Sequence, residues 1–197
     1  MEQIKIDDQD IRFIYESCPS LVYDQKQAKI YGEICFNLLY PDSNGIQIQD
    51  SYSIEISLLS RPGSILPTVR ETQGRILKIA ERKEIDYHDL HLNTKEGEMC
   101  LIIPMKEKER YPDGFDIKIF IEHLRQHLYW ISYYERYDKE PWKGQGHGDK
   151  GVVELYKENP IKYSASVKTY FENKNGTTYS WKTFRQMMSC LIKCYKL

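Results

Sequence analysis

The stretch Lys29-Ile30-Tyr31-Gly32-Glu33-Ile34-Cys35-Phe36-Asn37-Leu38-Leu39-Tyr40 alternates with period two. Ile30, Gly32, Ile34, Phe36 and Leu38 fall on one side; Tyr31, Glu33, Cys35, Asn37 and Leu39 fall on the other. Successive side chains of a strand point to opposite faces, so this pattern predicts a half-buried β-strand. The cluster Pro41-Asp42-Ser43-Asn44-Gly45 then turns the chain, and a second alternation runs through Tyr52, Ile54, Ile56 and Leu58. A connection that short implies an antiparallel pair.

Upstream of this pair, Ile11, Ile14 and Tyr15 repeat at helical spacing until Pro19, which predicts a short helix. Downstream, Pro62, Gly63 and Pro67 hold the chain extended and leave room for one short, irregular strand. Residues 75–100 show neither period and read as a long ordered loop, a kind of segment that is usually functional in a compact domain. The strongest helical stripe is Ile117, Phe120, Ile121, Leu124, Leu128 and Ile131, with Asp116 as its N-cap. Beyond Pro160, a small hairpin or loop through Asn175-Gly176 leads to a final helix carrying Trp181, Phe184, Met188, Leu191 and Tyr195. The fold class expected is therefore α+β, a four-stranded antiparallel meander backed by helices. Residues 1–157 form its domain, and residues 158–197 form a C-terminal extension ending in an amphipathic helix.

With 197 residues, 41% hydrophobic and 29% charged, the chain is neither disordered nor a membrane protein in composition. Its longest apolar runs are a few residues, against the roughly 20 needed to span a bilayer. Lys plus Arg is 28 and Asp plus Glu is 29, a net charge of −1, so no nucleic-acid partner is expected from the balance. The cations Lys182, Arg185, Lys193 and Lys196 are spread along the final helix. Met-Glu-Gln-Ile-Lys-Ile-Asp-Asp at the start has no signal-peptide stretch. Five cysteines, Cys18, Cys35, Cys100, Cys190 and Cys194, include no C-x-x-C pair. A disulfide framework and a structural zinc are both unexpected, and a reducing cytoplasm is the natural setting. His123 and His127 stand one helical turn apart, but no glutamate follows His123. They are read as solvated or boundary residues, with no metal and no cofactor expected. Gly144–Gly151, with His147 inside it, lacks the Gly-Lys-Ser/Thr ending of a phosphate loop. Tyr129, Trp130, Tyr133, Tyr134 and Tyr137 crowd together, as an interface or as core.

The chemistry concentrates in His91-x-Asn93-x3-Gly97-x2-Cys100. A thiolate attacks acyl carbons well, and a side-chain amide aimed at the attacked carbonyl stabilises the oxyanion that forms there. Glycine three residues before the thiol permits a sharp turn that leaves the sulfur uncovered. Cys18 and Cys35, in contrast, are read as packing residues.

The order of helix, antiparallel strands, Pro-rich segment, loop with His-x-Asn and Gly-x-x-Cys-Leu, then helix resembles that of ubiquitin-conjugating enzymes, and more closely their bacterial relatives. The segment Pro62 to Glu71 looks like their Pro-x4-Pro-x-Val-x-Glu. Ser132-Tyr133-Tyr134-Glu135, Pro141-Trp142 and His147-Gly148-Asp149-Lys150-Gly151 look like three further motifs in the same order. Leu92 stands where the eukaryotic enzymes have proline. The spacing from His91 to Cys100 is one residue shorter than theirs and one longer than in the bacterial motif. The resemblance implies an enzyme, a cysteine-dependent thioester transferase. Cys100 would be the acyl acceptor, Asn93 the oxyanion amide and His91 the ring that orders the loop, with His88 as the alternative for that last role. Bacterial proteins of this kind occur in CBASS antiphage operons, which implies as partner a cGAS-like nucleotidyltransferase whose C-terminus is conjugated, or else a ubiquitin-like protein. At this length an activating enzyme, where required, would be a separate chain. The competing expectation is a catalytically silent scaffold of the same fold.

Overall fold

The computed structural model describes residues 3–43, 45–61 and 63–197. Asn44 of the expected turn and Pro62 of the Pro-rich motif lie outside them, as do Met1 and Glu2. The β-strands are β1 (Leu21–Asp24), β2 (Lys29–Leu39), β3 (Gln47–Ser57) and β4 (Thr68–Glu71). The α-helices among the described residues are α1 (Asp8–Ser17), α2 (Arg75–Arg82), α3 (Glu107–Arg110), α4 (Ile117–Tyr137), α5 (Gly148–Glu158), α6 (Pro160–Asn175) and α7 (Trp181–Cys194). The described residues divide into two compact units, one ending at Gly144 and the other running Gln145–Leu197. The division falls before α5, whereas the sequence placed the boundary after residue 157.

In the first unit the strands form an antiparallel meander in the order β1-β2-β3-β4. Ile34 faces Tyr52 across β2 and β3, and Ile56 faces Val69 across β3 and β4. This register sends Ile30, Ile34, Phe36, Ile48, Tyr52, Ile54, Ile56 and Val69 into the core and leaves Tyr31, Glu33, Cys35 and Asn37 in water. Cys35 is exposed on the outer face and packs nothing. Cys18 is buried, and its Sγ accepts from Arg125 over 3.3 Å.

α4 starts where Asp116 accepts from the N–H groups of Lys118 and Ile119. Its stripe from Ile117 to Ile131 is buried in full, and each such side chain contributes about 1.5–3 kcal/mol of burial energy. The Ser-Tyr-Tyr-Glu motif lies in the last turns of this helix, with Ser132 and Tyr133 turned inward. Ser132 Oγ meets Tyr52 Oη at 2.9 Å, and Tyr133 is buried. Glu135 accepts from Arg75 at 2.6 Å and from Arg82 at 2.8 Å. Arg75 also forks onto Asp50 at 2.8 Å through each nitrogen while lying over the Tyr52 ring. Burial pushes the Asp50 carboxyl up, but the Arg75 fork and bonds from Ser51 and Ser132 together outweigh it and hold it down at about 2. Of the aromatic crowd on this helix, Tyr129, Trp130 and Tyr133 are core, Tyr134 is half-buried and Tyr137 is exposed.

α2 falls within residues 75–100, where the sequence predicts an ordered loop. Ile76, Ile79 and Ala80 bury one side of it. Glu71, buried at the end of β4, caps its start by accepting from Gln73 N at 2.8 Å and Ile76 N at 3.3 Å. The motif ending in Glu71 therefore joins a strand to a helix.

The second unit is helical. α5 packs on α6 and on α7, and Val153, Leu155, Val167, Phe171, Phe184 and Met188 are buried in it. Residues 160–175 were expected as hairpin or loop and are helix. Asn159 caps α6 with Pro160 at its first turn, where the missing N–H costs nothing.

Candidate active site

The chain enters the site through a short 3-10 turn, Tyr87–Leu90, capped by Asp86, and leaves it at His91 in the left-handed region with φ 58°. A non-glycine residue held there costs of order 1–2 kcal/mol, so the surrounding bonds must fix it. They do. The His91 carbonyl accepts from Cys100 N at 2.8 Å, and its ring sits edge-on to Trp130 (5.1 Å) and 5.2 Å from the His127 ring. His88, the alternative loop-ordering residue, is exposed and paired with Asp86 at 2.7 Å.

Residues 91–100 form a narrow hairpin. Leu92 bridges Met99, Asn93 N donates to Glu98 O at 2.6 Å, and Gly97 N closes the tip on Thr94 O at 3.2 Å. The returning arm adds to the edge of the sheet: Met99 N donates to Val69 O at 2.8 Å, and Glu71 N donates to Gly97 O at 2.9 Å. Gly97 has φ 89°, and a Cβ there would lie 2.2 Å from Glu71 O. Close approach to β4 is what the glycine supplies, where the sequence reading had given it the task of uncovering the sulfur.

Three expected residues meet in this hairpin. Cys100 is half-buried at its end. The Asn93 side-chain amide donates to Met99 O at 3.2 Å and to Glu98 Oε1 at 3.1 Å. An amide NH2 has two hydrogens, so donation to an incoming carbonyl requires one of these bonds to open. Glu98 is also paired with Arg61, which sequence reasoning had not marked. Burial raises the Cys100 thiol above its ordinary range, and the Arg61 guanidinium acts in the opposite direction. At neutral pH the group therefore rests as the thiol, and Arg61 is the cation that favours its ionisation.

His127 is half-buried, at the boundary the sequence predicts, whereas His123 is not. His123 is buried, with Nδ1 at 2.9 Å from Tyr111 Oη. His127 Nε2 is out of reach of solvent and has no hydrogen-bond partner. Among the described residues no group of three His, Cys, Asp or Glu side chains is placed to hold a metal, and no helix is long and apolar enough to cross a membrane. His147 lies at the N-cap of α5, in the second unit. Neither the protein-family models, nor the curated proteins, nor the solved structures include a match to this chain.

Proposed function

We propose that the chain is a ubiquitin-conjugating-like thioester carrier on the corresponding fold, working in the cytoplasm in antiphage defence. Cys100 Sγ attacks the carbonyl carbon of an activated protein C-terminus. The donor's leaving group departs, and the thiol proton goes to solvent or to that leaving group. An amine or other nucleophile then attacks the thioester carbon, the C–S bond breaks, and Cys100 leaves as the thiolate and takes up a proton equivalent to the one the nucleophile loses. The favoured partner is a cGAS-like nucleotidyltransferase whose C-terminus is conjugated, with a ubiquitin-like protein as the second choice and a separate activating enzyme as the acyl source.

The observation that carries this reading is the hairpin of residues 91–100. It pins Cys100 by its main chain at the edge of an antiparallel meander, with the Asn93 side-chain amide tied to the peptide that precedes it. Incubation with the partner, activating enzyme and ATP, followed by electrophoresis with and without reductant, tests it. A reductant-sensitive adduct absent from Cys100→Ala is expected. An adduct that persists in Cys100→Ala removes Cys100 from the role.

A second reading, the silent scaffold, is favoured by the same geometry taken at rest. The thiol is held neutral, and both Asn93 hydrogens are engaged. Phage protection retained by Cys100→Ala, with the partner still co-purifying, selects it.

A further inference from the structure

The near-neutral charge of the whole chain hides an uneven division. Residues 145–197 hold nine Lys or Arg and four Asp or Glu, a net charge of +5, and the remainder carries −6. Asp149, Glu154 and Glu172 are engaged within the second unit. Asp149 accepts from Tyr170 Oη at 2.9 Å and Lys174 Nζ at 2.6 Å, Glu172 from Lys168 Nζ at 2.5 Å and Tyr179 N at 2.7 Å, and Glu154 from Gly146 N at 2.7 Å. The fourth, Glu158, ends α5. Residues 173–197 contain no Asp or Glu at all.

The uncompensated charge gathers on α7. At 100° per residue, Lys182, Arg185, Ser189 and Lys193 fall within about 80° of one another, over a length of about 16 Å. All four are exposed, Lys196 continues the charge past the helix end, and none of these cations is paired with a carboxylate among the described residues. Phe184 and Met188 on the other side are buried, so the apolar side of α7 is already used and is not free to enter a bilayer. Beside the cationic stripe, one turn before Arg185, stands Trp181. This residue is 48% exposed, and its ring is held edge-on by Phe184 at 5.8 Å and overlain by Lys168 at 5.5 Å.

A row of free cations next to a fixed, half-exposed indole matches a chain of phosphates carrying flat bases. We propose that α7 is a docking surface for single-stranded nucleic acid, with Lys182, Arg185, Lys193 and Lys196 meeting phosphates and Trp181 stacking on a base. This surface is independent of Cys100.

The test uses the full-length protein and a fluorescein-labelled single-stranded oligonucleotide of mixed sequence, titrated by anisotropy over a range of salt. Four phosphate contacts give a slope of log K against log salt of about −3, from −0.7 per contact. Joint substitution Lys182→Gln, Arg185→Gln and Lys193→Gln should weaken binding at least tenfold and reduce the slope to about −1. Trp181→Ala should keep the slope, weaken binding about fivefold and abolish the quenching of tryptophan fluorescence by oligonucleotide. Cys100→Ala should bind like the parent. Circular dichroism and thermal melting establish that each variant is folded. The proposal is overturned by a parent slope no steeper than −1 or by unchanged binding in the triple variant. Polyglutamate or phosphatidylserine vesicles competing as well as the oligonucleotide would likewise overturn it, by making the stripe a surface for acidic protein or lipid.

Discussion

The side-chain amide of Asn93 donates to the main-chain carbonyl of Met99 over 3.2 Å, and that carbonyl belongs to the peptide that leads into Cys100. Its other hydrogen is turned to Glu98 Oε1. The residue expected to serve chemistry thus first serves geometry, by fixing the thiol's backbone. Asn93→Ala should cost about 1–2 kcal/mol, since it leaves a part-buried carbonyl unsatisfied. Asn93→Asp should cost more despite its matching shape, because acceptor oxygens would then face Met99 O and Glu98. Urea unfolding of the two variants checks the order. An Asp variant as stable as the parent would show that the amide bonds contribute nothing.

The ionisation of Cys100 is a separate matter. Burial raises it and Arg61 lowers it, so Arg61→Ala should move its alkylation midpoint to still higher pH. High salt should move the parent the same way and leave the variant nearly unmoved. The shift is small, because Arg61 is 48% exposed and already paired with Glu98. Cys35, Cys190 and Cys194 are exposed, so iodoacetamide labelling must be read peptide by peptide in a mass spectrometer. Cys100 in the folded protein should titrate above the same peptide in urea. The reverse order would mean that the thiol is not desolvated.

Gly97 supplies a steric test of how the hairpin joins the sheet. An alanine Cβ 2.2 Å from Glu71 O cannot be accommodated without moving backbone on one side. Gly97→Ala should therefore destabilise by more than 2 kcal/mol and expose Cys100 to faster labelling. Gly176→Ala is the control, at φ 61° with open space around it, and should cost only about 1 kcal/mol. Equal losses at the two positions would remove the close approach as the reason for glycine at 97.

Long periodic segments announced themselves and short ones did not. The period-two run of β2 and the stripe from Ile117 to Ile131 each repeat often enough to fix which face is buried. β1 has four residues, with one of them, Leu21, buried. α2 offers Ile76, Ile79 and Ala80, about one turn of pattern among charges. In α6, Tyr163, Val167 and Phe171 do recur at i, i+4 and i+8, but serine, threonine and lysine between them resemble a turn-rich stretch. The sequence groups Cys100, Asn93 and His91 within ten residues, and the hairpin of residues 91–100 holds all three. Spacing could not show where the Asn93 amide points, because that depends on how Glu98 and Met99 register against β4. Arg61 was hidden for the same reason, being 37 residues from Glu98 in the chain.

His123 and His127 make acid the condition under which the first unit is weakest. Burial, with Arg110 adding to it, lowers His123 to about 3. Burial, with His91 and His123 adding to it, holds His127 well below its ordinary value. A group whose folded pKa is depressed gives stability that is present above the unfolded value, about 6.5, and lost as pH falls below it. Each histidine then removes about 1.4 kcal/mol per pH unit, or about 2 kcal/mol between pH 6.5 and 5, a window above the ordinary carboxylate range. Urea unfolding across that window should show both losses together. His127→Leu deletes a ring nitrogen without a partner and should halve the slope, making the variant more stable than the parent relative to pH 7. His123→Leu halves the slope too, but removes the ring nitrogen 2.9 Å from the buried Tyr111 Oη and so costs stability at every pH. A parent whose stability is flat from pH 7 to 5 would mean that these imidazoles are reached by water after all.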